Sequence, residues 1–137
     1  MKIFLVLYPF KFRLFDEKRF EFDLLKKKRN KVVIFEFIHL LYPHFKKAYK
    51  KEKKVQNLFE IKSIIDFIQL LKKITSTNKQ IIVFNFLKNQ TFKSLIIKVI
   101  LKFYNFKKVS FYNPGISLSG QSVMNRKTSM YRKISIL

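Results

Sequence analysis

The side chains best suited to chemistry are few and widely spaced. His39 and His44 are the two imidazoles, five residues apart. That is not the i, i+4 placement by which two histidines on a helix share one zinc ion, and no nearby carboxylate completes a ligand set. No metal is expected. His39 follows an apolar run, where an imidazole titrating near neutrality is either a general base at a strand end or a loop histidine without chemistry. Glu21-Phe22-Asp23 has the acid-x-acid look of a metal clamp, but residues two apart on a helix diverge, so it reads as a solvated face. Asp16 and Glu17 serve either acid–base work at a cleft rim or a helix cap. The absence of cysteine excludes thiol nucleophiles, thiolate zinc sites and iron–sulfur clusters. Two glycines, Gly115 and Gly120, leave no GxGxxG or GxxxxGKS/T phosphate loop.

Elements must carry these residues, and the hydropathy pattern alternates between two periods. Lys2 to Tyr8 is a continuous apolar run stopped by Pro9, the mark of a strand covered on both faces. Asp16 to Lys28 has acids first and lysines last, as the helix dipole favours, with Phe20 and Leu24 on its inner stripe. After the turn Arg29-Asn30-Lys31, Val32 to Ile38 is again β-branched and aromatic at strand length. A long interruption from His39 to Lys62 follows. Ser63 then caps a helix whose thick apolar face includes Ile64, Ile65, Phe67, Ile68, Leu70, Leu71 and Ile74. Gln80 to Leu87 is a third strand. Thr91 caps a helix on which Phe92, Leu95, Ile96, Val99, Ile100 and Phe103 recur at three and four, and Val109 to Tyr112 is a short fourth strand ended by Asn113-Pro114-Gly115.

This alternation predicts an α/β domain over residues 1–115, an open parallel four-stranded sheet with flanking helices in the order β-α-β-α-β-α-β, Rossmann-like in the broad sense. Residues 116–137 read as a basic, Ser-rich, loosely ordered tail. In open sheets of this kind ligands bind beyond the carboxyl ends of the strands. That rule selects Tyr8, Pro9, Lys11 and Arg13 after the first strand, and Glu36 and His39 at the second. It adds Asn85, Lys88 and Asn89 at the third, and Asn113 with Pro114 and Gly115 at the fourth. Hydrogen-bonding and cationic groups of these types suit a sugar, a phosphate or a polyanionic glycan; turn residues at strand ends have the same composition without binding anything.

The chain has 137 residues and a formal net charge of +22, from 30 basic against eight acidic side chains. Lysine supplies 25 of the cations and arginine five, a balance closer to codon bias toward A/T than to selected phosphate forks. Charge this far from zero still attracts nucleic acid, anionic lipid or anionic sugars without specificity. All the acids lie at or before Asp66, so residues 67–137 carry cations alone. The apolar start is too short for a signal peptide, and no apolar stretch reaches the ~20 residues of a membrane span. Within the interruption, Leu40-Leu-Tyr-Pro-His-Phe45 precedes a lysine-rich stretch to Lys54. It reads first as a solvated charged helix, second as a contact with anionic lipid headgroups, and third as a base-stacking nucleic-acid binder.

Three stretches together carry a family resemblance: Leu7-Tyr-Pro-Phe10, Asp16 to Leu25, and Val33 to Tyr42 leading into Tyr-Pro-His-Phe. Their pattern resembles the amino-terminal Rossmann-like domain of bacterial surface-carbohydrate biosynthesis proteins, glycosyltransferase-like and of GT-B type, which are encoded among lipopolysaccharide and capsule genes. The resemblance covers about residues 1–115. It implies a cytoplasmic domain, peripheral at most to the inner face of the membrane, that binds a sugar or lipid-linked acceptor. It also implies that this domain binds no cofactor, the nucleotide-sugar donor lying on a missing carboxyl-terminal partner domain, so that the chain is incomplete as a transferase. Tyr8, Arg13, Arg19, Glu36 and His39 match cleft-facing positions under this resemblance; strand-end placement adds Asn85 and Asn113. The alternative is a small basic module for nucleic acid or an anionic membrane surface, with nucleic acid the less favoured partner. A decayed gene product with a fold and no activity is the third.

Overall fold

The computed structural model describes residues 1–44, 55–88 and 91–110. Among them are five strands, β1 Ile3–Tyr8, β2 Lys31–Glu36, β3 Leu58–Glu60, β4 Ile81–Asn85 and β5 Lys107–Ser110. Five helices connect them, α1 Leu14–Arg19, α2 Phe22–Lys27, α3 Ile38–Leu41, α4 Ile64–Thr75 and α5 Phe92–Phe103. The strands form one open sheet in the order β3-β2-β1-β4-β5, and every pair is parallel. The expected α/β class and parallel sheet are present, with five strands in place of four. The added strand, β3, lies inside the stretch read as an interruption. The proposed tail and Asn113 lie outside the described residues.

Burial explains why β1 and β2 read as unbroken apolar runs. In β1 five of six residues are buried, because helices cover both faces of a parallel sheet. One core holds Leu5, Leu7, Val33, Phe35 and Val83 from the sheet against Phe67 and Leu71 of α4 and Ile97 and Leu101 of α5. The other packs Val6, Tyr8, Ile34 and Phe86 against Phe12 and Phe22. Both edge strands are short, and all four residues of β5 are exposed with Lys107 and Lys108 at its start, which discourages pairing with another chain.

Three local readings change. The single helix expected over Asp16 to Lys28 is two, because Glu21 takes the left-handed conformation at φ 53° between them. Leu24, placed on an inner stripe, is therefore on the surface. Strand β2 ends at Glu36, and Ile38 begins α3. The caps expected at Ser63 and Thr91 are present: Ser63 Oγ accepts from the Asp66 N–H at 3.1 Å and Thr91 Oγ1 from the Ser94 N–H at 3.1 Å. With only two glycines in the chain, the turns entering strands use other residues at positive φ, Arg29 before β2, Asn57 before β3, Asn78 before β4 and Asn105 before β5. Asparagine tolerates that region better than most residues. No helix among the described residues is long and apolar enough to cross a membrane.

Candidate functional site

Strand register brings three polar strand ends into one row. Tyr8 is paired with Glu36, and Glu36 with Glu60, so the last residues of β1, β2 and β3 lie side by side at the carboxyl edge. Two carboxylates directly opposite each other repel unless a cation intervenes. Lys11 supplies it. The loop after β1 folds back over the end of β2, and Lys11 Nζ lies 3.3 Å from Glu36 Oε1 and 3.6 Å from Glu60 Oε1. The same loop donates the Phe12 backbone N–H to Glu36 Oε2 at 2.8 Å. His39, in the first turn of α3, completes the cluster with Nε2 at 3.5 Å from Glu60 Oε2.

Glu36 is fully buried. Burial raises its carboxyl above the ordinary carboxylate range, and the Phe12 N–H and the Lys11 ammonium only partly oppose that shift. It is a fastener for the Lys11–Phe12 loop, reached by the backbone from inside. Glu60, Lys11 and His39 are the accessible members, with side chains 40%, 24% and 20% exposed. One ligand atom each from Glu36, His39 and Glu60 lie within 4.8 Å of one another. An imidazole with two carboxylates is a donor set that divalent metals accept. Here, however, the Lys11 ammonium already stands against both carboxylates and provides the compensating charge. The expectation that no carboxylate accompanies His39 is thus corrected: two do, brought from Glu36 and Glu60 by the sheet. His44 is exposed and is not part of the cluster.

The remaining residues selected from sequence are dispersed. Tyr8 belongs to the core, its ring in edge contact with Phe12 at 5.1 Å and its hydroxyl donating to Asp16 Oδ1 at 3.4 Å. Burial, reinforced by the Asp16 charge, pushes the Tyr8 phenol well above its ordinary value, so it remains a neutral donor. Asp16 also accepts from the Arg13 N–H at 3.0 Å and closes the start of α1, the capping role foreseen for it. Glu17, buried, pairs with Lys26 of α2. Arg13 and Arg19 are exposed, the Arg19 guanidinium lying 5.6 Å from the Phe20 ring centroid. Asn85 ends β4 with its Oδ1 accepting from the Leu87 N–H at 3.0 Å, a local turn bond. Lys88 is exposed, and Asn89 lies outside the described residues. Of the residues proposed from sequence, the structure brings together Glu36, His39 and Lys11. Glu60 was not selected, because its strand has only three residues.

Comparison of the chain with family models, with curated proteins and with solved structures gives no match.

Proposed function

We propose that the chain is the acceptor-side α/β domain of a glycosyltransferase-like protein of cell-envelope polysaccharide synthesis, and that the carboxyl-edge cluster holds and deprotonates a sugar hydroxyl. The observation that carries this reading is the approach of His39 Nε2 to Glu60 at 3.5 Å. A carboxylate at one ring nitrogen keeps the proton there and leaves Nδ1 as the acceptor, the orienting arrangement used by general-base histidines. In transfer, the acceptor oxygen bonds to the anomeric carbon of a nucleotide sugar while the bond to the nucleoside diphosphate breaks. The hydroxyl proton passes to His39 Nδ1. Lys11 and Glu36 do not react; Glu36 holds Lys11, and Lys11 fixes Glu60, which in turn orients the imidazole.

Aromatic rings close in sequence to the cluster residues support a sugar ligand. Half-buried Phe10 and Tyr42 stack with centroids 5.5 Å apart and planes 12° from parallel, one next to Lys11 in the chain and the other three residues after His39. Apolar ring faces with a few convergent polar groups are the usual lining of a small-molecule site. The donor is assigned to a partner domain, in keeping with the family resemblance.

A titration of the full chain, read by thermal shift at low and high salt, tests this reading against a lipopolysaccharide core oligosaccharide, UDP-sugars and a short DNA duplex. The oligosaccharide is expected to stabilise the chain saturably and independently of salt, UDP-sugars alone to have no effect, and His39→Ala to weaken oligosaccharide binding about tenfold. Binding to DNA alone, collapsing as salt rises, would replace the acceptor reading by that of a basic nucleic-acid module.

A further inference from the structure

Helix α5 is apolar on two opposite faces. Ile97 and Leu101 are buried against the sheet with Ser94 between them and the helix start. On the far side Phe92, Leu95, Val99 and Phe103 are 77%, 46%, 52% and 82% exposed. At 100° per residue these four fall within one arc of the helix surface, and Lys98 and Lys102, both exposed, border it. Hydrophobic residues all round a helix belong to one that is covered on all sides. The sheet covers only the inner face.

We propose that the outer face of α5 docks the protein on an anionic lipid bilayer, with Phe92, Leu95, Val99 and Phe103 entering the headgroup region and Lys98 and Lys102 meeting lipid phosphates. Twelve residues make a helix about 18 Å long, laid in the plane of the interface with a phenylalanine near each end. Charge selects this occupant. No acidic residue follows Asp66, and the neighbouring edge strand adds exposed Lys107 and Lys108. A second copy of the chain would bring these same cations together, which a net charge of +22 opposes. Single-stranded nucleic acid is fitted by aromatics set in a basic groove; here Leu95 and Val99 occupy the middle of the stripe. Anionic lipid satisfies both the hydrocarbon and the lysines. The inference is independent of the carboxyl-edge cluster.

The chain has no tryptophan, so Phe103→Trp in the full chain is a single reporter. Phosphatidylcholine vesicles with and without phosphatidylglycerol are the probe. Emission is expected to be that of exposed indole in buffer and to shift blue on adding the anionic vesicles, with little change on the neutral ones. Phe92→Ser/Phe103→Ser should lower vesicle binding in a flotation assay at least about tenfold while leaving the circular dichroism and melting point unchanged. An indole already sheltered without lipid would show that the chain covers the stripe itself, and a concentration-dependent dimer broken by the serine variant would assign the stripe to a second copy. Binding undiminished by the serine variant would leave only non-specific attraction. Each of these three results overturns the proposal.

Discussion

Two regions of the molecule break the rule that charge stays out and hydrocarbon stays in, and they do so in opposite directions. At the carboxyl edge a glutamate is fully buried, and the chain answers it from within, with the Phe12 N–H at 2.8 Å and Lys11 at 3.3 Å. On α5 four large apolar side chains face outward, and the sheet reaches only the opposite side of the helix. A buried charge without partners is too costly to survive folding, so its compensation has to be built into the fold. Exposed hydrocarbon is tolerated by an isolated chain and can await an external surface. The comparison therefore separates an internal fastener from a contact face.

Helix α5 offers the widest contrast, since both sides of the comparison meet within three residues. Leu101→Ala empties a site in the core that also holds Ile97, Leu5 and Val83 and should cost about 2–5 kcal/mol in denaturant unfolding. Phe103→Ala, two residues on, removes more hydrocarbon from an exposed position and should change stability by less than about 0.5 kcal/mol. A loss at Phe103 comparable to that at Leu101 would mean that the outer stripe is already packed by the chain.

Glu36 gives the next largest effect and a dependence on pH. Glu36→Ala leaves the Phe12 N–H without its acceptor and takes one of two carboxylates from Lys11, a loss of about 2–3 kcal/mol. Glu36→Gln keeps the shape and an acceptor for Phe12. The folded state holds the Glu36 proton more tightly than the unfolded chain does, because burial raises the carboxyl. Its favourable contribution is therefore complete below the ordinary glutamate range, and is lost as pH rises through the raised folded value. Melting curves between about pH 4 and pH 8 should show this decline in the wild type and lack it in Glu36→Gln. A decline of equal size in the glutamine variant would place the titrating group elsewhere.

The parts of this arrangement that were legible in the sequence are those where a single physical cause dominates. Strands β1, β2 and β4 are continuous apolar runs because both faces are covered. Helices α4 and α5 begin where a hydroxyl caps them. Strand β3 escaped because it is three residues long, with Phe59 and Glu60 exposed, and its pairing with β2 is a matter of backbone register. Glu60 was hidden with it. The strand-end rule found Lys11, Glu36 and His39 but not that Glu36 would be enclosed, since the return of the Lys11–Phe12 loop is a tertiary event. For α5, periodicity marks a stripe through Phe92, Leu95, Ile96, Val99, Ile100 and Phe103, whereas the sheet takes the side of Ser94, Ile97 and Leu101, which that stripe leaves out.

The smallest effect concerns a turn, where backbone strain is neither a buried charge nor an exposed apolar face. Arg29 enters β2 at φ 57°, a region in which a side chain crowds the following carbonyl. Its N–H donates to the Lys26 carbonyl at 3.0 Å, and the next residue, Asn30, accepts from the Lys2 N–H at 3.1 Å, so the conformation is held from both sides. Glycine removes the crowding but loses more freedom on folding, which offsets part of the gain. Arg29→Gly should accordingly stabilise the chain by about 0.5 kcal/mol. Arg29→Ala separates backbone from charge: it keeps the Cβ and sheds one cation from a chain at +22. An alanine variant as stable as the glycine variant would trace the gain to relieved self-repulsion. A gain confined to glycine would trace it to the turn, and would place Arg29 apart from both Glu36 and α5 as a local compromise with nothing attached to it.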